Sequence, residues 1–230
     1  MTQNFFTTEP TYKEMTEKYK ASDSIIALVF YTVLLFSYLA LGILYVKKGV
    51  YFGIYVNLFL TLICIGIVLL RKQKLSTIGL TLKNMKKSVL WGLIFGGVIL
   101  FVKIIPPVLA GRKLTGLNEI LYNGFYYFIV IAFVEEIVFR GYLQTRLYGI
   151  IKSDVLAVVI GGLLFSVMHI PFQMYNQNVG LLVYLKKNCL SLLLVFLWHI
   201  VFNFLYRKNN SLAAPTIMHG IMDFSSYIFK

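Results

Sequence analysis

The feature that most constrains this chain is a series of long apolar runs that, in the C-terminal half, are interrupted by ionisable side chains. Glu135, Glu136, His169, His199, His219 and Asp223 all lie inside such runs. The runs hold three of the nine acidic residues but all three histidines. An ionisable group in a bilayer core costs from ~2.5 kcal/mol upward, so it is seldom kept there without a partner or a job. The clustering points to a polar, protonatable site buried in a helical bundle.

The chain has 230 residues, 59% hydrophobic and 13% charged. That is not the balance of a soluble domain. The expected fold is all-α: a polytopic transmembrane bundle of about seven or eight membrane segments. A net charge of +13 would suggest nucleic acid if the protein were soluble. Here the basic residues fall mostly in loops between apolar runs, where they act as topology signals and touch anionic lipid. The expected partner on this ground is the bilayer, with no nucleic acid. Cys64 and Cys189 lie in or beside apolar segments and suggest neither a disulfide nor a metal site. Met1 to Asp23 mixes Lys13, Lys18 and Lys20 with Glu9, Glu14, Glu17 and Asp23. It lacks the pattern of a cleavable signal peptide, which leaves the first span as the uncleaved targeting signal.

A span needs ~20 apolar residues. Seven candidates are expected, at about Ser24 to Val46, Tyr51 to Leu70, Ser88 to Leu109, Glu119 to Leu147, Asp154 to Ile170, Cys189 to Tyr206 and Leu212 to Phe229. Pro106-Pro107 should stop the third and Pro171 the fifth. The short apolar stretch Gln177 to Leu185 is a re-entrant piece or the start of an eighth segment. The expected organisation is a cytoplasmic segment over 1–23, two membrane helices and a basic loop over 24–87, and a catalytic helical core over 88–230.

Orientation follows from lysine and arginine. The loop Arg71 to Lys87 holds six (Arg71, Lys72, Lys74, Lys83, Lys86, Lys87). Placing it in the cytoplasm makes the N-terminus cytoplasmic. It also puts thirteen basic loop residues inside against seven outside, the latter being Lys47, Lys48, Arg112, Lys113, Lys186, Lys187 and Lys230. The bias favours N-in. With seven spans the C-terminus lies outside.

Four constellations carry chemistry. In Glu135-Glu136-Ile137-Val138-Phe139-Arg140-Gly141, Glu136 and Arg140 are i and i+4 and can pair. Glu135 is rotated by ~100° from Glu136, so it can face a cavity while its neighbour is held. Two adjacent carboxylates in different environments suit one fixed anion and one working base. A buried ion pair that merely fastens helices is the plainer alternative, and it does not explain the second glutamate. Next come Phe165-Ser166-Val167-Met168-His169 on the fifth span and His219-Gly220-Ile221-Met222-Asp223 on the last. His199 and Asn203 on the sixth span share the i, i+4 geometry and compete with the last pair. Their plainer reading is a polar helix–helix contact beside Trp198. On helical rise alone, Glu135 and His169 should meet near mid-membrane, with His219 nearer the cytoplasmic end.

The order Glu-Glu-x-x-x-Arg, Phe-x-x-x-His, His-x-x-x-Asn/Asp on successive membrane helices resembles the CAAX-protease and bacteriocin-processing (CPBP, Abi) family of intramembrane endopeptidases. EEIVFRGYLQTRL from Glu135 and SLAAPTIMHGIMD from Ser211 are similar to the family's fuller patterns. The second context favours His219 and Asp223 over His199 and Asn203.

The resemblance implies roles. Glu135 and His169 activate a water, and His219 and Asp223 stabilise the oxyanion. Glu136 and Arg140 hold the site together, and Phe165 packs around it. Asp223 stands where some members carry Asn. A carboxylate there would repel an oxyanion unless it is protonated or engaged with His219. No cofactor is expected, since no HExxH is present and zinc ligands would have to converge from three helices; zinc is the alternative. The implied function is hydrolysis of a peptide bond near the cytoplasmic side, with a peptide or membrane-protein substrate as partner. The short polar-ended stretches around Gln173 to Asn178 are the expected gate. The best-studied eukaryotic relatives cut prenylated CAAX proteins, yet nothing in this sequence marks a prenyl pocket. A non-catalytic immunity or scaffold protein of the same family is the rival, and a proton-coupled carrier a further one.

Overall fold

The computed structural model describes residues 7–229; residues 1–6 of the expected N-terminal segment and Lys230 lie outside the described residues. Eight helices follow one another, with no strand among the described residues. They are α1 (Pro10–Glu17), α2 (Ala21–Lys48), α3 (Gly53–Leu70), α4 (Met85–Leu109), α5 (Leu117–Leu147), α6 (Asp154–Asn176), α7 (Leu181–Asn209) and α8 (Ala213–Phe224). Helices α2 to α7 are long and apolar enough to cross a membrane. Their outward faces carry Phe36, Leu62, Val98 and Leu190, which have no protein to cover them.

The expected spans fall on these helices, with four differences. Pro106 and Pro107 do not stop α4; they lie inside it, and it runs on to Leu109. Pro171 does not end α6. It sits in the first turn of a continuing helical segment, where its missing N–H breaks no bond, and the regular α-helix is interrupted at His169. The Gln177 to Leu185 stretch supplies the first turns of α7, a single 29-residue helix, and is not a separate segment. The last span has only twelve helical residues, ~18 Å of rise, followed by the 3₁₀ turn Ser225–Tyr227.

None of the α8 residues is exposed. Enclosed by protein, α8 need not match the bilayer thickness as a lipid-facing helix must. It lies along α4, where a side chain at Gly92 would come within 2.9 Å of Ala214 O. Small residues allow this approach. The chain beyond α8 still reaches the far side. Lys103 Nζ donates to Met222 O and Ser226 Oγ at 2.6 and 2.8 Å, and Thr115 N donates to Ile228 O at 2.8 Å.

The bundle therefore has two ends. One gathers α1, the α3–α4 connection, the α5–α6 turn and the α7–α8 turn; this is the N-terminal face. The other gathers the α2–α3, α4–α5 and α6–α7 connections and the chain beyond α8. The N-terminal face is tied together by polar contacts. Arg71 pairs with Asp23 at 2.9 Å, Arg207 with Asp154 at 2.7 Å, and Glu9 N donates to Arg207 O at 3.0 Å. Burial pushes the Tyr12 hydroxyl well above the ordinary tyrosine range, and the neighbouring Tyr148, buried beside Arg207, is pushed up to about 12.

Candidate active site

Helix α5 carries the two glutamates, and its backbone is unusual around them. Wide π-helical stretches, Tyr126–Phe133 and Ile137–Leu143, flank Val134–Glu136. Such departures from α geometry recur at functional sites, because they re-aim side chains without breaking the helix.

The neighbouring glutamates have different surroundings. The Glu136 carboxylate is fully buried, 3.0 Å from Arg140 Nη1 and 2.8 Å from His219 Nδ1. The Glu135 side chain keeps about a tenth of its surface and lines a cavity of about 350 Å³. The same cavity takes in His169, His219, Asp223 and Phe165. The four residues expected to be catalytic thus meet in one space, with Glu136 and Arg140 beneath them.

The hydrogen bonds set the histidine tautomers. His169 Nδ1 lies 2.8 Å from Phe165 O. A carbonyl only accepts, so Nδ1 carries the hydrogen, and the neutral ring keeps its Nε2 lone pair. His219 Nδ1 donates to Glu136. Its Nε2 lies 3.4 Å from Asp223 Oδ2 and 4.0 Å from Glu135 Oε2. Glu136, rather than Asp223, is therefore the group that orients the His219 ring through Nδ1.

Aromatic rings complete the floor. The Arg140 guanidinium lies 4.0 Å from the Phe165 ring centre and 4.9 Å from that of Phe202. Phe202 stacks on His219 at 4.7 Å. Stacking on π faces is a way to hold a weakly hydrated guanidinium away from water.

His219 does not sit nearer the N-terminal face than Glu135, as helical rise suggested. Ala214 N donates to Ser88 Oγ, one turn into α4, so α8 begins inside the bundle and His219 arrives level with Glu136. His199 and Asn203 stay out of the cavity. His199 Nε2 lies 3.1 Å from Gln144 Oε1 in a fully buried contact between α7 and α5, the plainer of its two readings. Sequence reasoning missed Phe202 as part of the site. It also missed the cavity's tyrosines, Tyr38, Tyr51, Tyr126, Tyr127 and Tyr227. The pair Tyr126-Tyr127 ahead of the glutamates was the one available signal. Gln173, in the expected gate, lines the cavity with Phe172.

Among the described residues, no group of three histidine, cysteine, aspartate or glutamate side chains converges in a way that could hold a metal ion.

Residues 117–225 match the family model described as type II CAAX prenyl endopeptidase Rce1-like. The match runs from the start of α5 to just past α8 and covers Glu135, Glu136, Arg140, Phe165, His169, Phe202, His219 and Asp223, while Tyr38, Tyr51 and Tyr227 of the cavity lie outside it. No curated protein and no solved structure matches the chain.

Proposed function

We propose that this chain, whose residues 117–225 match the Rce1-like type II CAAX prenyl endopeptidase model, is an intramembrane endopeptidase of the glutamate type. The observation that carries this reading is the unequal treatment of adjacent carboxylates. Glu136 is neutralised from two sides, while Glu135 opens on the cavity beside two histidines.

In this mechanism Glu135, assisted by the free Nε2 of His169, takes a proton from water as the oxygen attacks the peptide carbonyl. The developing oxyanion is met by His219 Nε2–H, held in direction by the bond from Nδ1 to Glu136. Asp223 holds that nitrogen until the substrate carbonyl takes its place. When the C–N bond breaks, the departing amine takes the proton back from Glu135 or His169. In this scheme every proton is carried by these side chains and water.

Two measurements test this. Membrane and secreted peptides are compared from cells with the native protein, the Glu135→Gln variant, or no protein. An uncut peptide that accumulates in both the variant and the null cells is the expected result, and it identifies the substrate. If the variant matches native cells while the null differs, the protein acts as an immunity factor or scaffold. Purified protein should also keep full activity after metal stripping and in chelator; stoichiometric zinc that disappears in His169→Ala would overturn the metal-free mechanism.

A further inference from the structure

The exposed part of the cavity lining, Tyr51 and Tyr227, lies away from the N-terminal face. The cavity rim comes from Tyr51 in the α2–α3 connection, Phe172 and Gln173 late in α6, and Tyr227 beyond α8. All of these belong to the opposite end of the bundle. Rim rings contact one another, with Tyr127 stacked on Tyr227 at 4.6 Å and Tyr51 against Phe172 at 5.4 Å. A ring of tyrosines is what a membrane–water interface favours.

The other direction is closed. Below Glu136 and Arg140, every residue from Gln144 to Leu147 is buried. Beneath these, Tyr12 of α1 packs edge-on against Tyr148 and Tyr206 at 6.2 and 5.8 Å. These side chains fill the space along α5 between Glu136 and the N-terminal face.

The basic residues say which end is which. Among the described residues, thirteen lysines and arginines lie toward the N-terminal face and six toward the other, a bias that favours a cytoplasmic N-terminal face. Resting on the protease reading above, we propose that this site is loaded from the extracytoplasmic side. Its substrate class is then an exported peptide, or an outward-facing tail or loop of a membrane protein. A protein tail that stays in the cytosol meets only the sealed face. This reverses the expectation of cleavage near the cytoplasmic side.

The test reads orientation independently of catalysis. Cys64 and Cys189 are replaced by serine, and single cysteines are introduced in the full chain. Gly180→Cys marks the α6–α7 connection, where a side chain meets open space. Gln173→Cys marks the cavity rim, and Lys74→Cys the exposed N-terminal face. A membrane-impermeant maleimide applied to intact cells should label Gly180→Cys and Gln173→Cys, and Lys74→Cys only after permeabilisation. Labelling of Lys74→Cys in intact cells, or of the other two only after permeabilisation, overturns the proposal. The Glu135→Gln peptide comparison separates the two readings. If it shows no uncut peptide while labelling follows the expected pattern, the protease reading fails and the orientation stands. If an uncut peptide is found but its cleavage site lies in the cytosol, the orientation fails and the protease stands.

Discussion

Helix α5 carries two buried arginines six residues apart, and they are kept in opposite ways. Arg146, 1% exposed, is a structural clasp. Its Nη1 donates to Thr77 O, Gly141 O and Thr145 Oγ1, and its Nη2 to Gln73 Oε1 and Thr77 Oγ1, at 2.7 to 3.0 Å. All five acceptors are neutral, and the three on Gln73 and Thr77 fasten the α3–α4 connection to α5. Arg140, 0% exposed, has no hydrogen-bond acceptor in line with any of its three nitrogens. It is held by the Glu136 carboxylate and two phenyl faces. Arg146 also lies over the Tyr19 and Tyr142 rings, at 4.7 and 4.8 Å, so what separates the two is the partner: neutral dipoles for Arg146, the Glu136 carboxylate for Arg140. The comparison separates the half of α5 that builds the bundle from the half that works.

The largest effect should come from breaking the Arg140 pair. Arg140→Met leaves the Glu136 carboxylate buried without its counter-ion, at a cost of about 3–5 kcal/mol. It should appear as a large drop in melting temperature in detergent and a complete loss of peptide processing. The double variant Arg140→Met/Glu136→Gln removes both charges. It should regain most of the stability, because an apolar replacement of a buried pair is often neutral. It should stay inactive, because His219 loses the anion behind its ring. Recovery of activity along with stability would make Arg140 another clasp and erase the contrast.

Arg146→Lys should cost less, about 1–3 kcal/mol, since an ammonium has three donors where the guanidinium fork reaches five acceptors. Processing per folded molecule should be unchanged. A loss of activity greater than the loss of folded protein would show that the clasp also tunes the site.

Asp223 tests the working half more finely. Its side chain is about a quarter exposed and 3.4 Å from His219 Nε2. Asp223→Asn removes the charge that opposes an oxyanion and adds a donor, so the rate should stay within about tenfold of native. Asp223→Ala removes the contact and should lower the rate by about 10²-fold or more. Equal losses in both variants would mean the carboxylate itself is required.

The sequence makes the working half more legible than its support. Glu135, Glu136, His169, His219 and Asp223 are readable because ionisable groups stand out in apolar runs, and their cost demands an explanation. Phe202 is not readable, because a phenylalanine among Leu, Val and Ile gives no sign that its face will carry Arg140 and His219. The depth of His219 is also hidden. It depends on α8 starting inside the bundle against Ser88, a tertiary contact that no helical count contains. The side on which the cavity opens is hidden for the same reason, since its rim comes from three connections and the chain beyond α8. Arg146 reads as a loop cation, and only the folded α3–α4 connection shows that it is buried.

The smallest effect should fall on the histidine that shares the site's spacing but not its cavity. His199 is fully buried, and its ring bonds Gln144, one turn beyond Arg140 on α5. Gly161 and Gly162 of α6 leave room for this contact, and a side chain at Gly161 would collide with the Gln144 carboxamide. His199→Gln keeps a donor of similar length and loses the ring. It should cost about 1 kcal/mol, the worth of one neutral hydrogen bond, seen as a few degrees of melting temperature. The processing rate of the folded fraction should match native. Asn203, one turn further along α7, should be equally indifferent to Asn203→Ala in rate, though not in stability. If His199→Gln abolished processing while leaving the melting temperature intact, the working half of α5 would extend past Arg140 to Gln144. The boundary drawn between the two arginines would then move toward the N-terminal face.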